Sequence, residues 1–152
     1  MTTLFEQIGG DQLRVVIEDF YRRVLSDVMI GFMFVRVDRR TLVQREWELI
    51  AALLGAADIK YSGRPMRVAH AQHTIFGGQF ERRMQILRET LRDHAVADDV
   101  QREWIDHALS LRKQITRDHG SECQDTGEAG GGKLAPVMPV PGPEAVVKLR
   151  RR

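Results

Sequence analysis

The stretch Asp11-Gln12-Leu13-Arg14-Val15-Val16-Ile17-Glu18-Asp19-Phe20-Tyr21-Arg22-Arg23-Val24 spaces most of its apolar side chains three and four residues apart. That interval puts Leu13, Val16, Ile17, Phe20, Tyr21 and Val24 on one face of an α-helix and predicts a single buried stripe. Asp11, just after Gly9-Gly10, is predicted to cap the helix start. The same period recurs downstream, and no convincing alternating run appears, so the chain is predicted to be all-α. Asp38 is predicted to cap a helix carrying Leu42, Leu49, Ile50 and Leu53, with Gly55 ending it. A loop containing Gly63 and Pro65 then leads to a short segment bearing His70. Gly77-Gly78 is read as another break, after which Phe80, Met84, Leu87 and Leu91 define a long helix. A last helix follows Asp98-Asp99, with Val100, Trp104, Ala108, Leu111 and Ile115 on its buried face. The prediction is about five main helices with short connectors.

The chain has 152 residues, enough for one domain with a real core and too few to expect two. Four of the five prolines, at 136, 139, 141 and 143, lie beyond Gly130-Gly131-Gly132. The folded domain is therefore predicted over 1–119, with 120–152 a Gly/Pro-rich flexible tail. Lysine and arginine total 23 against 21 aspartate and glutamate, so charge alone argues for neither nucleic acid nor membrane as a partner. The single cysteine, Cys123, excludes an internal disulfide framework. No run approaches the roughly 18 apolar residues needed to span a bilayer, and the start lacks a signal pattern, so a cytoplasmic protein with a small or neutral partner is expected.

Three features carry chemistry. His70 ends Gly63-Arg64-Pro65-Met66-Arg67-Val68-Ala69-His70, and Tyr21 sits on an apolar face about fifty residues earlier. A neutral imidazole is a good iron ligand and a phenol can donate to an iron-bound gas, so the pairing points to a haem pocket. Glu46 and Arg83 occupy positions within apolar stripes, where unpaired charges cost several kcal/mol; opposite signs predict mutual pairing or a polar cavity wall, the alternative being that each sits at the stripe's edge and reaches out to water. His73, three residues after His70, also allows a non-haem metal pair, although such a site wants further ligands at helical spacing.

The chain resembles the truncated, two-over-two haemoglobins, and group I most closely. The resemblance rests on Leu4-Phe5-Glu6 through Ile8-Gly9-Gly10 and Asp19-Phe20-Tyr21-Arg22-Arg23-Val24-Leu25. It continues through Phe34, Val37-Asp38, Ala52-Leu53-Leu54-Gly55, Tyr61-Ser62-Gly63 and Pro65-Met66-Arg67 to His70, with Ile75 and Phe80 following. It implies a two-over-two helical sandwich holding haem b, with His70 as the iron ligand, Tyr21 as the donor on the ligand side and Phe34 against the haem face. Leu42 matches a gate position, and Arg45 and Arg67 stand where basic residues approach the haem propionates. Phe20, Leu53, Met66, Met84 and Ile115 are expected to bury the porphyrin. Glu46 replaces a glutamine often found in group I, and Arg83 an apolar residue. Since a carboxylate only accepts hydrogen bonds, an ion pair of Glu46 with Arg83 is expected to line the ligand side, leaving Tyr21 as the direct donor.

The function so implied is binding of oxygen, nitric oxide or another diatomic ligand at haem iron, for storage, transport or sensing. An enzyme stays open beside it: a nitric oxide dioxygenase or a peroxidase-like protein, served by a reductase. A helical interaction module without cofactor is the third reading.

Overall fold

The computed structural model describes residues 1–117. The tail predicted over 120–152, Cys123 and His119 lie outside the described residues. Seven α-helices occur among those described: α1 Leu4–Ile8, α2 Gly10–Ser26, α3 Arg39–Leu53, α4 Met66–His70, α5 Gly77–Asp93, α6 Asp98–Ser110 and α7 Arg112–Ile115. A 3-10 turn, Gly31–Phe34, links α2 to α3.

The first helix pair corrects the reading of Asp11. Thr3 and Glu6 form a reciprocal capping box that starts α1 (Thr3 N to Glu6 Oε2, 2.9 Å; Glu6 N to Thr3 Oγ1, 3.1 Å). The chain then turns at Gly9, and α2 begins at Gly10, so Asp11 lies inside the first turn and not at the cap. Its charge there still complements the positive end of the helix dipole. The predicted α2 stripe is the centre of the core: Leu13, Val16, Ile17, Phe20 and Val24 are fully buried and Tyr21 nearly so.

Helix α3 starts where predicted, Asp38 accepting from the Thr41 backbone N–H at 2.9 Å. Its buried face is rotated from the expected one. Val43, Ile50 and Ala51 are buried in the core, whereas Leu42, Leu49 and Leu53 are only half-buried. The helix has two apolar faces, one packed on α2 and one turned toward a cavity, and residues 42, 46 and 49 share the second. Gly55 follows the C-cap at φ +98°, and a Cβ there would come within 3.2 Å of Thr3 Cβ. Both the left-handed backbone and this close approach favour glycine.

Two further breaks differ from the sequence reading. Gly77 and Gly78 are the first two residues of α5, not a gap before it, with Phe76 as N-cap. The last predicted helix is interrupted at Leu111, so that Val100, Trp104 and Ala108 belong to α6 while Ile115 belongs to α7. Helix α2 packs on α3 and α5, α5 on α6, and the short α4 on α7. The Arg117 N–H donates to Ile75 O at 2.9 Å, which ties the end of the described chain beside the α4–α5 connection.

Ion pairs fasten the outer sides of these helices. Asp27 accepts from Arg82 of α5 (2.7 and 2.9 Å) and from its own loop amides, Met29 N and Ile30 N. Asp19 accepts from His94, Arg22 and Arg23, and Arg23 reaches on to Asp93. Burial raises the Asp19 pKa, but these three partners together outweigh it and hold the carboxyl at about 2. A depressed carboxyl pKa gives stability that is present above the unfolded value and is lost as pH falls toward the folded one. We therefore expect Asp19→Asn to remove about 2 kcal/mol at neutral pH, and the loss to shrink between about pH 4 and pH 2. Urea midpoints of parent and variant across that window check it; a difference that stays constant contradicts it.

Candidate functional site

A cavity of about 330 Å³ opens among α2, α3, α4, α5, α6 and α7, with the 3-10 turn and the 61–64 loop at its edge. The size lies within the range of small-molecule sites. Most of the wall is apolar: Met33, Phe34, Leu42, Leu49, Met66 and Ile115 are among its residues. The polar groups on it are few and specific.

Three of them meet at one oxygen. The Tyr21 hydroxyl donates to Glu46 Oε2 at 3.3 Å, and Arg83 Nη2 donates to the same atom at 3.3 Å. The expected ion pair of Glu46 and Arg83 thus forms on the cavity wall, with side-chain exposures of 12% and 22%. Arg83 also lies over the Phe20 ring, 4.9 Å from its centroid, a cation–π contact that steadies a guanidinium partly removed from water. Burial, and then the Glu46 charge, hold the Tyr21 phenol well above its ordinary pKa, so it stays a donor across the whole accessible pH range. Burial lowers the Arg83 pKa, but Glu46 and Tyr21 more than offset it, and the group is held above its usual value.

His70 closes α4. Its Nδ1 lies 2.8 Å from Met66 O, one helical turn back. A carbonyl can only accept, so Nδ1 carries the proton and Nε2 keeps its lone pair. Burial, followed by the positive charges of Arg83 and His73, lowers the His70 pKa despite the Met66 bond. A neutral imidazole with its other nitrogen anchored to the backbone is the form that binds a metal.

At the rim, Glu48 accepts from Ser62 N at 2.9 Å and Ser62 Oγ at 2.6 Å, and Arg45 joins the same group. Tyr61 folds over Gly63 and donates to Arg64 O at 3.1 Å. A Cβ on Gly63 would collide with the Tyr61 ring, so glycine here lets the ring form part of the wall.

Of the residues singled out in the sequence, Tyr21, Phe34, Leu42, Arg45, Glu46, Met66, His70, Arg83 and Ile115 border this one cavity. Phe20, Leu53, Met84 and Arg67 do not. Phe20 and Met84 each lie one helical step, about 100°, from a lining residue, Tyr21 and Arg83, and here that rotation turns them away from the cavity. Both are instead buried in the core. Leu53 is packed against that core, and Arg67 is exposed. The sequence reading missed Tyr61, Arg64 and His107, and took Trp104 only as packing. Trp104 Nε1 and His107 Nε2 are buried without a hydrogen-bond partner among the described residues, and both side chains border the cavity. Such orphaned nitrogens cost about 1–3 kcal/mol each, which fits a space that takes in a molecule. Their spacing, i and i+3 on the apolar stripe of α6, was the available signal.

No cluster of three or more His, Cys, Asp or Glu able to hold a metal occurs among the described residues, which leaves the His70/His73 pair without the additional ligands a non-haem site requires. No described helix is long and apolar enough to cross a membrane.

A helical shell around a cavity with one anchored, neutral imidazole is a ligand-binding architecture, and its kinship is clear. A model of the bacterial-like globin family matches residues 3–117. The group 1 truncated hemoglobin of Synechocystis sp. is 32% identical over 105 residues, spanning 66% of this chain and 84% of that protein. That of Mycolicibacterium paratuberculosis is 30% identical over 129 residues, spanning 84% and 88%. A ferric glutamine-to-glutamate variant of the Tetrahymena pyriformis truncated hemoglobin superposes with a TM-score of 0.68 at 25% identity, over 76% of this chain and 99% of that one. The chain belongs to the bacterial-like globin family, as a truncated two-over-two hemoglobin of group I. Membership implies a haem cofactor and a small diatomic ligand, and the lone pair at His70 together with the apolar walls fits that cofactor.

Proposed function

We propose that this protein holds haem b through His70 Nε2 and binds oxygen or another diatomic ligand in the cavity beside Tyr21. The observation that carries the reading is the 2.8 Å bond from His70 Nδ1 to Met66 O, which fixes the tautomer a metal needs. When bound, the haem supplies an iron coordination position for the ligand. Phe34, Leu42, Met66 and Ile115 offer apolar contact to the macrocycle. Arg45, at the rim, would offer its charge to a haem propionate. Tyr21 is the neutral donor of the wall and slows escape of a polar ligand. Titration of the apoprotein with haemin tests this directly: a sharp visible absorption band saturating at one haem per chain supports it, and featureless, unsaturable binding overturns it.

One observation favours an enzymatic second reading. The Arg83 charge borders the cavity and would stabilise negative charge developing there, as nitric oxide dioxygenation or a peroxidase-like reaction requires. Such a role needs a reductase or other electron source. Stopped-flow mixing of the oxygenated protein with nitric oxide distinguishes the two: stoichiometric nitrate formed rapidly supports the enzyme, and slow decay supports the reversible binder.

A further inference from the structure

Glu46 has no part in holding a haem or in donating to a neutral diatomic ligand, yet it is the group on which the polar wall converges. It accepts from Tyr21 and Arg83 at the same oxygen, and both distances, 3.3 Å, are at the long end of the hydrogen-bond range. These are bonds that exchange easily. In the resting cavity the phenol proton is directed at a carboxylate that can only accept, so a neutral ligand without a proton gains the Tyr21 donor only by breaking that bond. A pre-formed anion fares no better, because it would enter beside a negative Glu46. The arrangement suits a third kind of visitor, a neutral molecule that brings its own proton.

We propose that Glu46 is the proton acceptor for a small weak acid HX, of the class of hydrogen sulfide, hydrogen cyanide or a hydroperoxide, that enters the cavity as the neutral acid and is held there as X⁻. The inference rests on the haem reading and names the ligand class of that same site. The step balances without a co-reactant. The H–X bond breaks, the proton passes to the Glu46 carboxylate, and the electron pair stays on X⁻. Before the step the charges are one negative, on Glu46, and one positive, on Arg83; after it they are X⁻ and Arg83. No net charge is brought into a poorly solvated cavity, which avoids the cost of burying an additional ion. Neutralising Glu46 also frees its two donors. Tyr21 and Arg83 then turn from the carboxylate to X⁻, so taking up the proton and stabilising the anion are one rearrangement. The charged and titratable groups that feel Glu46 are Tyr21 on α2, Arg83 on α5, His70 on α4 and Tyr61 at the rim. Arg83 alone among these carries a positive charge fixed at neutral pH, so it is the lasting counter-charge for X⁻.

The test uses the haem-loaded full chain and Glu46→Gln, whose amide keeps the volume and still accepts from Tyr21 and Arg83 but cannot take a proton. Two probes are mixed in stopped flow: hydrogen cyanide with the ferric protein, and carbon monoxide, which has no proton to give, with the reduced protein. General-base assistance predicts that the ratio of the hydrogen cyanide rate to the carbon monoxide rate falls at least about tenfold in the variant. An unchanged ratio overturns the proposal. A parallel slowing of both probes is such a case, since it assigns Glu46 to ligand entry. Failure of the underlying haem reading shows earlier and separately, as the lack of any haem band before a probe is added.

Discussion

Arg83→Leu is expected to destabilise the protein by about 2 kcal/mol and to speed dissociation of an anionic ligand from the ferric form by about tenfold or more. Removing one partner of a largely buried ion pair leaves the other uncompensated. Fully buried pairs lose about 3–5 kcal/mol in this way. Glu46 and Arg83 retain 12% and 22% exposure, so solvent screens part of the loss and the lower figure applies. The contact of the guanidinium with the Phe20 ring disappears too. A companion variant separates pairing from packing: with Glu46→Leu and Arg83→Leu together, no lone charge is left, and at least half of the lost stability should return. Urea denaturation of the three proteins measures this. A single variant as stable as the parent, with unchanged ligand release, shows that Arg83 does not act on the cavity.

The second large effect is expected at Tyr21. Tyr21→Phe keeps the ring, its edge contact with Phe20 at 5.1 Å and nearly all its burial, and removes only the donor. A hydrogen bond to a charged or strongly polar partner contributes about 1.5–3 kcal/mol, so oxygen release from the reduced protein should quicken by about ten- to a hundredfold. Carbon monoxide, a weaker acceptor, should be released nearly as before. If oxygen release is unchanged, the phenol never leaves Glu46 and another group stabilises the ligand.

Much of this was legible in the sequence because apolar periodicity reports burial directly. The α2 stripe was read residue for residue, and Asp38 announced its helix through a capping side chain whose geometry is local. The misreadings share a cause: they concern choices made by tertiary contacts. The divide between α1 and α2 depends on Gly9, and the interruption at Leu111 carries no glycine or proline to signal it. On α3 the sequence showed leucines at 42, 49 and 53, but which apolar face meets α2 and which meets the cavity is decided by packing, with Val43 and Ala51 taking the core.

The candidate site was legible to the same degree. Glu46 and Arg83 stood out because charges on apolar stripes need an explanation, and the structure brings them together. Phe20 and Met84 were grouped with the pocket because large apolar residues suit a flat cofactor, yet the helical step of about 100° turns each away from its lining neighbour. Tyr61 could not be placed from a loop without regular period. His107 lay on the stripe of Trp104, and that spacing was its one signal in the sequence; its place on the wall and its partnerless nitrogen come from the packing.

The central claim is that one imidazole anchors the cofactor. His70→Gly, loaded with haemin and followed by its absorption spectrum as free imidazole is added, tests it most directly. The account predicts weakened haem retention and an altered spectrum, both largely restored by millimolar imidazole entering the vacated position. Haem held as firmly as in the parent, with the same bands and no response to imidazole, would contradict it.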